Sequence, residues 1–351
     1  MKKLTALLTC TGLAVSMLAG CGSSAGTGDS TAAAATTAST ETAGTETTAA
    51  DAAETGTDQT FKIGICQQLE HPALDAASQG FEDALTEKLG DKVTFDLQNG
   101  QGEQTNCATI ASGFVADGVD LILANATTAL QCSAAATDTI PVLGTSITDY
   151  ATALDISDWT GATGKNISGT SDLAPIDQQE AMLKELFPDA KKVGILYCSA
   201  EPNSEYQAKK FEEALDADGI AYAEYTAADS NEIQSVTTSA VGECDVIYIP
   251  TDNTMAANAE TVKNVVVPAG IPVIAGEEGI CSGCGVATLS IDYYDIGYNA
   301  GEMAYDILVN GADITTMEIA YAPQVTKEYN AAICEELNVT VPDDYTAIAT
   351  E

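Results

Sequence analysis

The chain says the same thing twice. Lys62-Ile-Gly-Ile65 returns as Lys192-Val-Gly-Ile195, an offset of 130, and the same offset aligns Phe81-Glu-Asp-Ala-Leu85 with Phe211-Glu-Glu-Ala-Leu215. Val119-Asp-Leu-Ile-Leu123 matches Cys244-Asp-Val-Ile-Tyr248 at offset 125, and Ile140-Pro-Val142 matches Ile271-Pro-Val273 at offset 131. Separate blocks sharing one spacing are hard to obtain by chance, so the folded part is read as one half used twice. In the first half, strands and helices alternate near 61–66, 72–89, 92–98, 104–117, 120–124, 128–136 and 140–144. Near-continuous Val/Ile/Leu runs between amphipathic helices predict parallel strands buried on both faces. The fold class is therefore α/β, with two doubly wound parallel-sheet lobes. Ligands of such sheets gather beyond the carboxyl ends of the strands. Two facing lobes aim both sets of ends at one cleft, where "LANATTA" (123–129) and "IPTDNTM" (249–255) hold equivalent places.

What precedes the repeat has a different character. Lys2 and Lys3 lead an apolar run from Leu4 to Leu18, short for a membrane span and shaped like a secretory signal over 1–20. Leu18-Ala19-Gly20-Cys21 resembles the lipobox of bacterial lipoproteins, which predicts lipidation at Cys21 and a membrane anchor. From Gly22 to Thr60 only Gly, Ser, Ala, Thr, Asp, Glu and one Gln occur. Such a segment buries too little to offset its ordering entropy, so 21–60 is expected to be a lipidated, disordered tether, with a reach of roughly 35 Å.

Charge and cysteine content exclude several functions. With 52 acidic residues against 13 basic ones, a net charge of −39, the chain lacks the basic surface that nucleic acid requires. All 13 basic residues are lysines. Eight cysteines lie within the repeat, mostly in apolar runs where a free thiol packs as a small hydrophobe. Only Cys281-Ser-Gly-Cys284 has suggestive spacing, for a local disulfide or two idle thiols. Zinc would need further ligands, His71 is the sole histidine, and neither metal nor cofactor is expected. With no nucleophile elbow or phosphate loop in view, no enzymatic activity is expected either.

The segments "GICQQLEHPALDAASQGFEDAL" (64–85), "GTSITDY" (144–150), "NISGTSDL" (166–173), "KKVGILYCSAEPNS" (191–204), "YIPTDNT" (248–254) and "DYYDIGYNAGEMA" (292–304) together resemble the substrate-binding proteins of ABC transporters, of the tryptophan- and tyrosine-binding lipoprotein type. The resemblance spans about 61 to 340. It implies the type I periplasmic-binding fold, with crossings near 168–172, 288–292 and 322–326. Lobe 1 would then comprise 61–170 plus 292–323, and lobe 2 would comprise 171–291 plus 324–351. It also implies a role outside the cytoplasm, capturing a small amino-acid-like ligand, an aromatic one favoured, for an ABC permease and ATPase. A sensory lipoprotein reporting to a signalling receptor is the alternative.

A hinge-closing receptor needs ligand contacts from both lobes. Lobe 1 offers Gln67, Glu70, His71, Thr127, Thr128, Ser146, Thr148, Asp149 and Tyr150 after its strands; lobe 2 offers Asn203, Ser204, Asp252, Asn253, Glu277 and Glu278; Asp292 and Tyr293 lie at a presumed hinge. No arginine exists to clamp a carboxylate. An amino acid's carboxylate would fall to helix N-terminal amides and hydroxyls at 125–129, 202–205 and 251–254. Its ammonium needs a buried carboxylate: Asp252 first, then Asp292 and Glu277. Tyr150, Tyr293 and Trp159 are the aromatics placed to contact a flat side chain, although Trp159 reads first as a loop residue covering a core.

Overall fold

The computed structural model describes residues 59–349, so the signal segment, Cys21 and nearly all of the tether lie outside the described residues. The first half supplies β1 (Phe61–Gln67), α1 (Pro72–Leu89), β2 (Val93–Asn99), α2 (Gln104–Asp117), β3 (Leu121–Asn125), α3 (Thr127–Ala136), β4 (Val142–Ile147), α4 (Tyr150–Ala153) and β5 (Ile167–Ser171). The second supplies α5 (Ile176–Leu186), β6 (Lys192–Cys198), α6 (Pro202–Asp218), β7 (Ala221–Ala227), α7 (Ile233–Val241), β8 (Val246–Ile249), α8 (Asn253–Ala257), α9 (Ala259–Ala269), β9 (Val273–Ala275), α10 (Glu278–Cys284) and β10 (Ala287–Ser290). The tail adds α11 (Tyr293–Leu308), β11 (Ala320–Tyr321), β12 (Thr326–Tyr329), α12 (Ala331–Leu337) and β13 (Thr346–Ala347).

Among the described residues these strands form a six-stranded sheet, β11-β5-β4-β3-β1-β2, and a seven-stranded sheet, β13-β12-β10-β9-β8-β6-β7. The first is parallel throughout. In the second, β12 pairs antiparallel to β10 and closes an otherwise parallel set of five. The chain therefore passes between sheets after β5, after β10 and after β11. Each half is an α/β lobe of the periplasmic-binding type I kind.

The repeated glycine has a packing reason. On β1, Ile63 and Ile65 face the cluster that holds Phe81 and Leu85, while Cys66 faces the cluster that holds Phe114. Gly64 lies beneath the Phe114 ring, and a Cβ there would stand 2.5 Å from its Cγ. Gly194 holds the equivalent place, 3.1 Å from the Cys244 Sγ by the same construction. In lobe 2, Phe211 and Tyr248 stack at 3.7 Å within one continuous core. Burying apolar strands on both faces supplies roughly 1.5–3 kcal/mol per large side chain, before entropy is charged.

The helix α11 follows a lobe 2 strand in sequence yet packs on α1 of lobe 1. Small residues let the two backbones approach closely: a Cβ at Gly297 would overlap the Ala77 carbonyl, and one at Gly80 the Tyr294 carbonyl. One element departs from the sequence reading. The fourth strand, expected at 140–144, starts at Val142 and runs to Ile147 through the polar Gly144-Thr145-Ser146. Its pairing with β5 sustains it, and Thr170 Oγ1 donates to Thr145 Oγ1 at 3.1 Å.

Candidate ligand-binding cleft

The repeat places His71 before Pro72 and Glu201 before Pro202, at the same offset of 130. Proline at the first helical position forces the preceding residue out of the helical region. Both residues have extended φ/ψ angles, and neither side chain caps its own helix. Both turn instead to Asn253, at the start of α8. Asn253 Nδ2 donates to Glu201 Oε2 at 2.7 Å, and its Oδ1 lies 3.1 Å from His71 Nε2. Among the described residues, the His71–Asn253 pair is the one hydrogen bond between side chains that joins the lobes away from the crossings. On another side of the cleft, Thr127 and Asp149 of lobe 1 share a small crevice with Pro202, Asn203 and Tyr206 of lobe 2.

At the crossings a second cluster forms around Asp172. Its Oδ1 accepts from Thr148 Oγ1 at 3.0 Å and its Oδ2 from the Tyr293 hydroxyl at 3.1 Å. This ties lobe 1 to two crossings. Burial pushes the Asp172 carboxyl up to about 6, with the Glu277 carboxylate adding to the shift. Glu277 caps α10, accepting from the Gly279 and Ile280 amides at 2.7 and 2.5 Å; burial pushes its carboxyl up, while His71 and these two amides act in the opposite direction. The Glu277 carboxylate thus adds to the burial of Asp172 in holding that acid up. Asp172 is the buried acid at the crossings that sequence reasoning passed over. A signal existed: Gly144-Thr-Ser146 recurs as Gly169-Thr-Ser171, paired Gly144 to Gly169 in adjacent strands, and Asp172 ends the second copy.

Three buried polar atoms among the sequence candidates have no partner among the described residues: His71 Nδ1, Ser146 Oγ and Asn203 Oδ1. An unpaired buried polar atom costs about 1–3 kcal/mol, so each calls for a further group. Ser146 also sits at φ 56 and Ala126 at φ 82, both left-handed and both at the carboxyl ends of central strands. Strained backbone in such a place marks a site whose geometry the fold over-determines.

The other candidates divide clearly. Gln67 is saturated inside lobe 1: it donates to the Leu69 carbonyl and to Asp75, and accepts from Ser78. Glu70 is exposed and lines a separate groove with Gln79 and Leu97, outside the cleft. The amide of Thr128 donates to Gln68 Oε1, so this α3 amide is already occupied. Ser204 turns to the Thr251 carbonyl. Asp149 and Asp292 cap α4 and α11, and Asp292 is exposed.

Three expectations change on geometric grounds. Asp252 spends both oxygens on backbone amides, Cys198 at 2.7 Å and Met255 at 2.8 Å, and so fastens α8 to β6. Glu201 takes the amides of Asn253 and Thr254 at 3.1 and 2.8 Å. The first amides of α8, expected to hold a carboxylate, are therefore filled by the chain's own acids. Tyr150 is 2% exposed, donates to the Thr170 carbonyl at 3.1 Å and packs in the lobe 1 core. It has no face toward the cleft because Gly144 and Gly169 leave the space its ring end fills. Trp159 is half-buried against the same core. Glu278 lines an open groove along the α10 side, and Cys281 and Cys284 are buried free thiols in α10.

Two parallel α/β lobes, three crossings and buried unpaired polar atoms on both lobes are the features of a two-lobed solute-binding protein. Residues 62–351 match the ABC transporter substrate binding protein family, and the chain belongs to that family. It is 35% identical over 324 residues to the tyrosine-binding protein of Clostridioides difficile, covering 90% of this chain and 88% of that one. A Streptococcus pneumoniae ABC domain solved with L-Trp is 32% identical, with a TM-score of 0.77 over 81% of this chain and 97% of that one. The ligand-free, open structure of a Clostridium difficile substrate binding protein with adhesive properties is 35% identical, covering 83% of this chain and 100% of that one, yet its TM-score is 0.64.

Proposed function

We propose that this protein is the extracytoplasmic receptor of an ABC importer, tethered by a lipid on Cys21, and that it closes on a free amino acid of the aromatic class. The amine is the group it grips most firmly. Asp172 supplies the negative charge at the amine, with Glu277, held on the α10 amides, adding to it from a distance, while Asn203 Oδ1 and, in the neutral ring, His71 Nδ1 supply acceptors. The observation that carries this reading is the buried Asp172 carboxyl, held by Thr148 and Tyr293 and raised by burial and by the Glu277 carboxylate: an ammonium entering there favours its ionised form and fills unpaired acceptors together. With no arginine present and the α8 amides and the Thr128 amide of α3 occupied, the ligand carboxylate falls first to Ser146. The tyrosine-binding relative and the L-Trp complex support the aromatic choice.

Calorimetric titration of refolded protein with L-tyrosine, L-tryptophan, L-leucine, tyramine and 3-(4-hydroxyphenyl)propionate tests the reading. Micromolar or tighter binding of the aromatic amino acids is expected, with tyramine retaining more affinity than the deaminated acid. Equal or better binding of the deaminated acid would overturn the amine assignment. Silence across the panel would overturn the amino-acid class. Incorporation of labelled palmitate, lost in Cys21→Ser, tests the anchor.

A further inference from the structure

Glu201 occupies the lobe 2 position that His71 occupies in lobe 1, and the two meet through one amide. The donor count along that path has a single solution. Glu201 is 2% exposed, and a carboxylate oxygen only accepts. Its Oε2 receives Asn253 N, Asn253 Nδ2 and Asn203 Nδ2, at 3.1, 2.7 and 3.1 Å. Its Oε1 receives Thr254 N and Thr254 Oγ1, at 2.8 and 2.7 Å. The Asn253 amide therefore cannot flip without turning its carbonyl oxygen onto a carboxylate. Asn253 Oδ1 must face His71, and that oxygen too can only accept. The proton of a neutral His71 ring must then sit on Nε2. Its Nδ1 is left as a bare acceptor, buried and without a partner among the described residues.

We infer that Glu201 is a positioning residue which, acting through Asn253, fixes the tautomer of His71 so that the closed cleft presents an acceptor to a ligand N–H. The same carboxylate holds Asn203 by its Nδ2, which leaves Asn203 Oδ1 as the second bare acceptor. One buried acid thereby sets the polarity of two groups on opposite lobes. The amine preference proposed above is the consequence of this relay, so the effect on ligand choice rests on that reading. The tautomer itself does not. Replacing Glu201 by glutamine puts an N–H2 group among five donors, and the Asn253 amide can relax by flipping. His71 Nε2 then accepts, and Nδ1 becomes a donor.

Because His71 is the only histidine, protein labelled with 15N-histidine gives a spectrum of this ring alone. The measurement is made at about pH 8 on the full chain, without ligand and with saturating L-tyrosine, for wild type, Glu201→Gln and Asn253→Ala. The expected wild-type result is the pure Nε2–H tautomer in at least one of the two conditions, replaced in both variants by a mixture that includes Nδ1–H. Glu201→Gln should also weaken L-tyrosine binding about tenfold and narrow the preference for tyramine over the deaminated acid. In an Asn253→Ala background the same substitution should leave the tautomer ratio unchanged, which a merely structural role of Glu201 would not predict. Asn253→Ala keeps the carboxylate and serves if Glu201→Gln fails to fold. An unbiased mixture, an Nδ1–H tautomer or an imidazolium in wild type under both conditions would overturn the relay, as would a tautomer unmoved in both variants. Absence of heat with every amino acid would remove the ligand reading while leaving the tautomer result to decide the relay.

Discussion

Asp172 offers the sharpest single test of how the cleft recognises its ligand. The carboxyl is buried, pinned by Thr148 and Tyr293, and raised to about 6 from the ordinary 3.8. The fold by itself therefore favours the protonated acid, and an ammonium favours the ionised one. Above about pH 6 the ligand finds a carboxylate ready, and affinity should be flat. Below it, each binding event must expel the proton first, so affinity falls by up to tenfold per pH unit, or roughly tenfold at pH 5 relative to pH 8. Calorimetry in buffers of different ionisation enthalpy would read the released proton directly. Asp172→Asn removes a charge-assisted contact of about 1.5–3 kcal/mol, roughly 10- to 100-fold in affinity, and should abolish the acid limb. An L-tyrosine affinity that is level between pH 5 and pH 8 in wild type, or an acid limb that survives in Asp172→Asn, would refute the assignment of this carboxylate to the amine.

Asp252→Asn is expected to act on stability instead of ligand choice. It sets an N–H2 group against one of two backbone amides, at a cost of about 1–3 kcal/mol in urea unfolding, with L-tyrosine affinity changed less than about threefold. Burial and the Glu201 carboxylate raise the Asp252 carboxyl to about 8, so its stabilising contribution belongs to the protonated form and is lost as pH rises from the unfolded value of 3.8 through 8. The gap between wild type and variant should narrow over that interval; a gap that widens would contradict the sign. Gly297→Ala drives a methyl group into the Ala77 carbonyl and should force α1 and α11 apart, costing about 1–3 kcal/mol, as read by the shift in denaturation midpoint. A neutral result there would mean that the two helices are not packed as closely as the glycines imply.

What the sequence made legible follows from the range over which each signal acts. The repeat, the helix bounds at 72–89 and 104–117 and the parallel strands rest on local periodicity and on apolar runs a few residues long, and the structure gives α1 and α2 those same limits. The strand ends followed, and with them His71, Thr148, Asn203, Asn253, Glu277 and Tyr293, which do gather at the cleft and the crossings. The roles of the acids were not legible in the same way. Asp252 and Glu201 are both acids beside a helix start, and nothing within a few residues says which one caps its own helix and which reaches another. Asp252 caps α8 three residues on, a local rule, while Glu201 reaches α8 from more than fifty residues away and leaves its own helix uncapped. Asp172 ends a strand at a crossing, where a sequence shows only a connection; its importance comes from Thr148 and Tyr293, 24 and 121 positions distant. The repeat carried one clue to this division of labour. His71 and Glu201 stand 130 apart before matched prolines, so the duplicated half placed two different side chains at one position of the fold. Divergence at equivalent positions on a shared cleft is where two copies of one lobe become a site that neither copy forms alone.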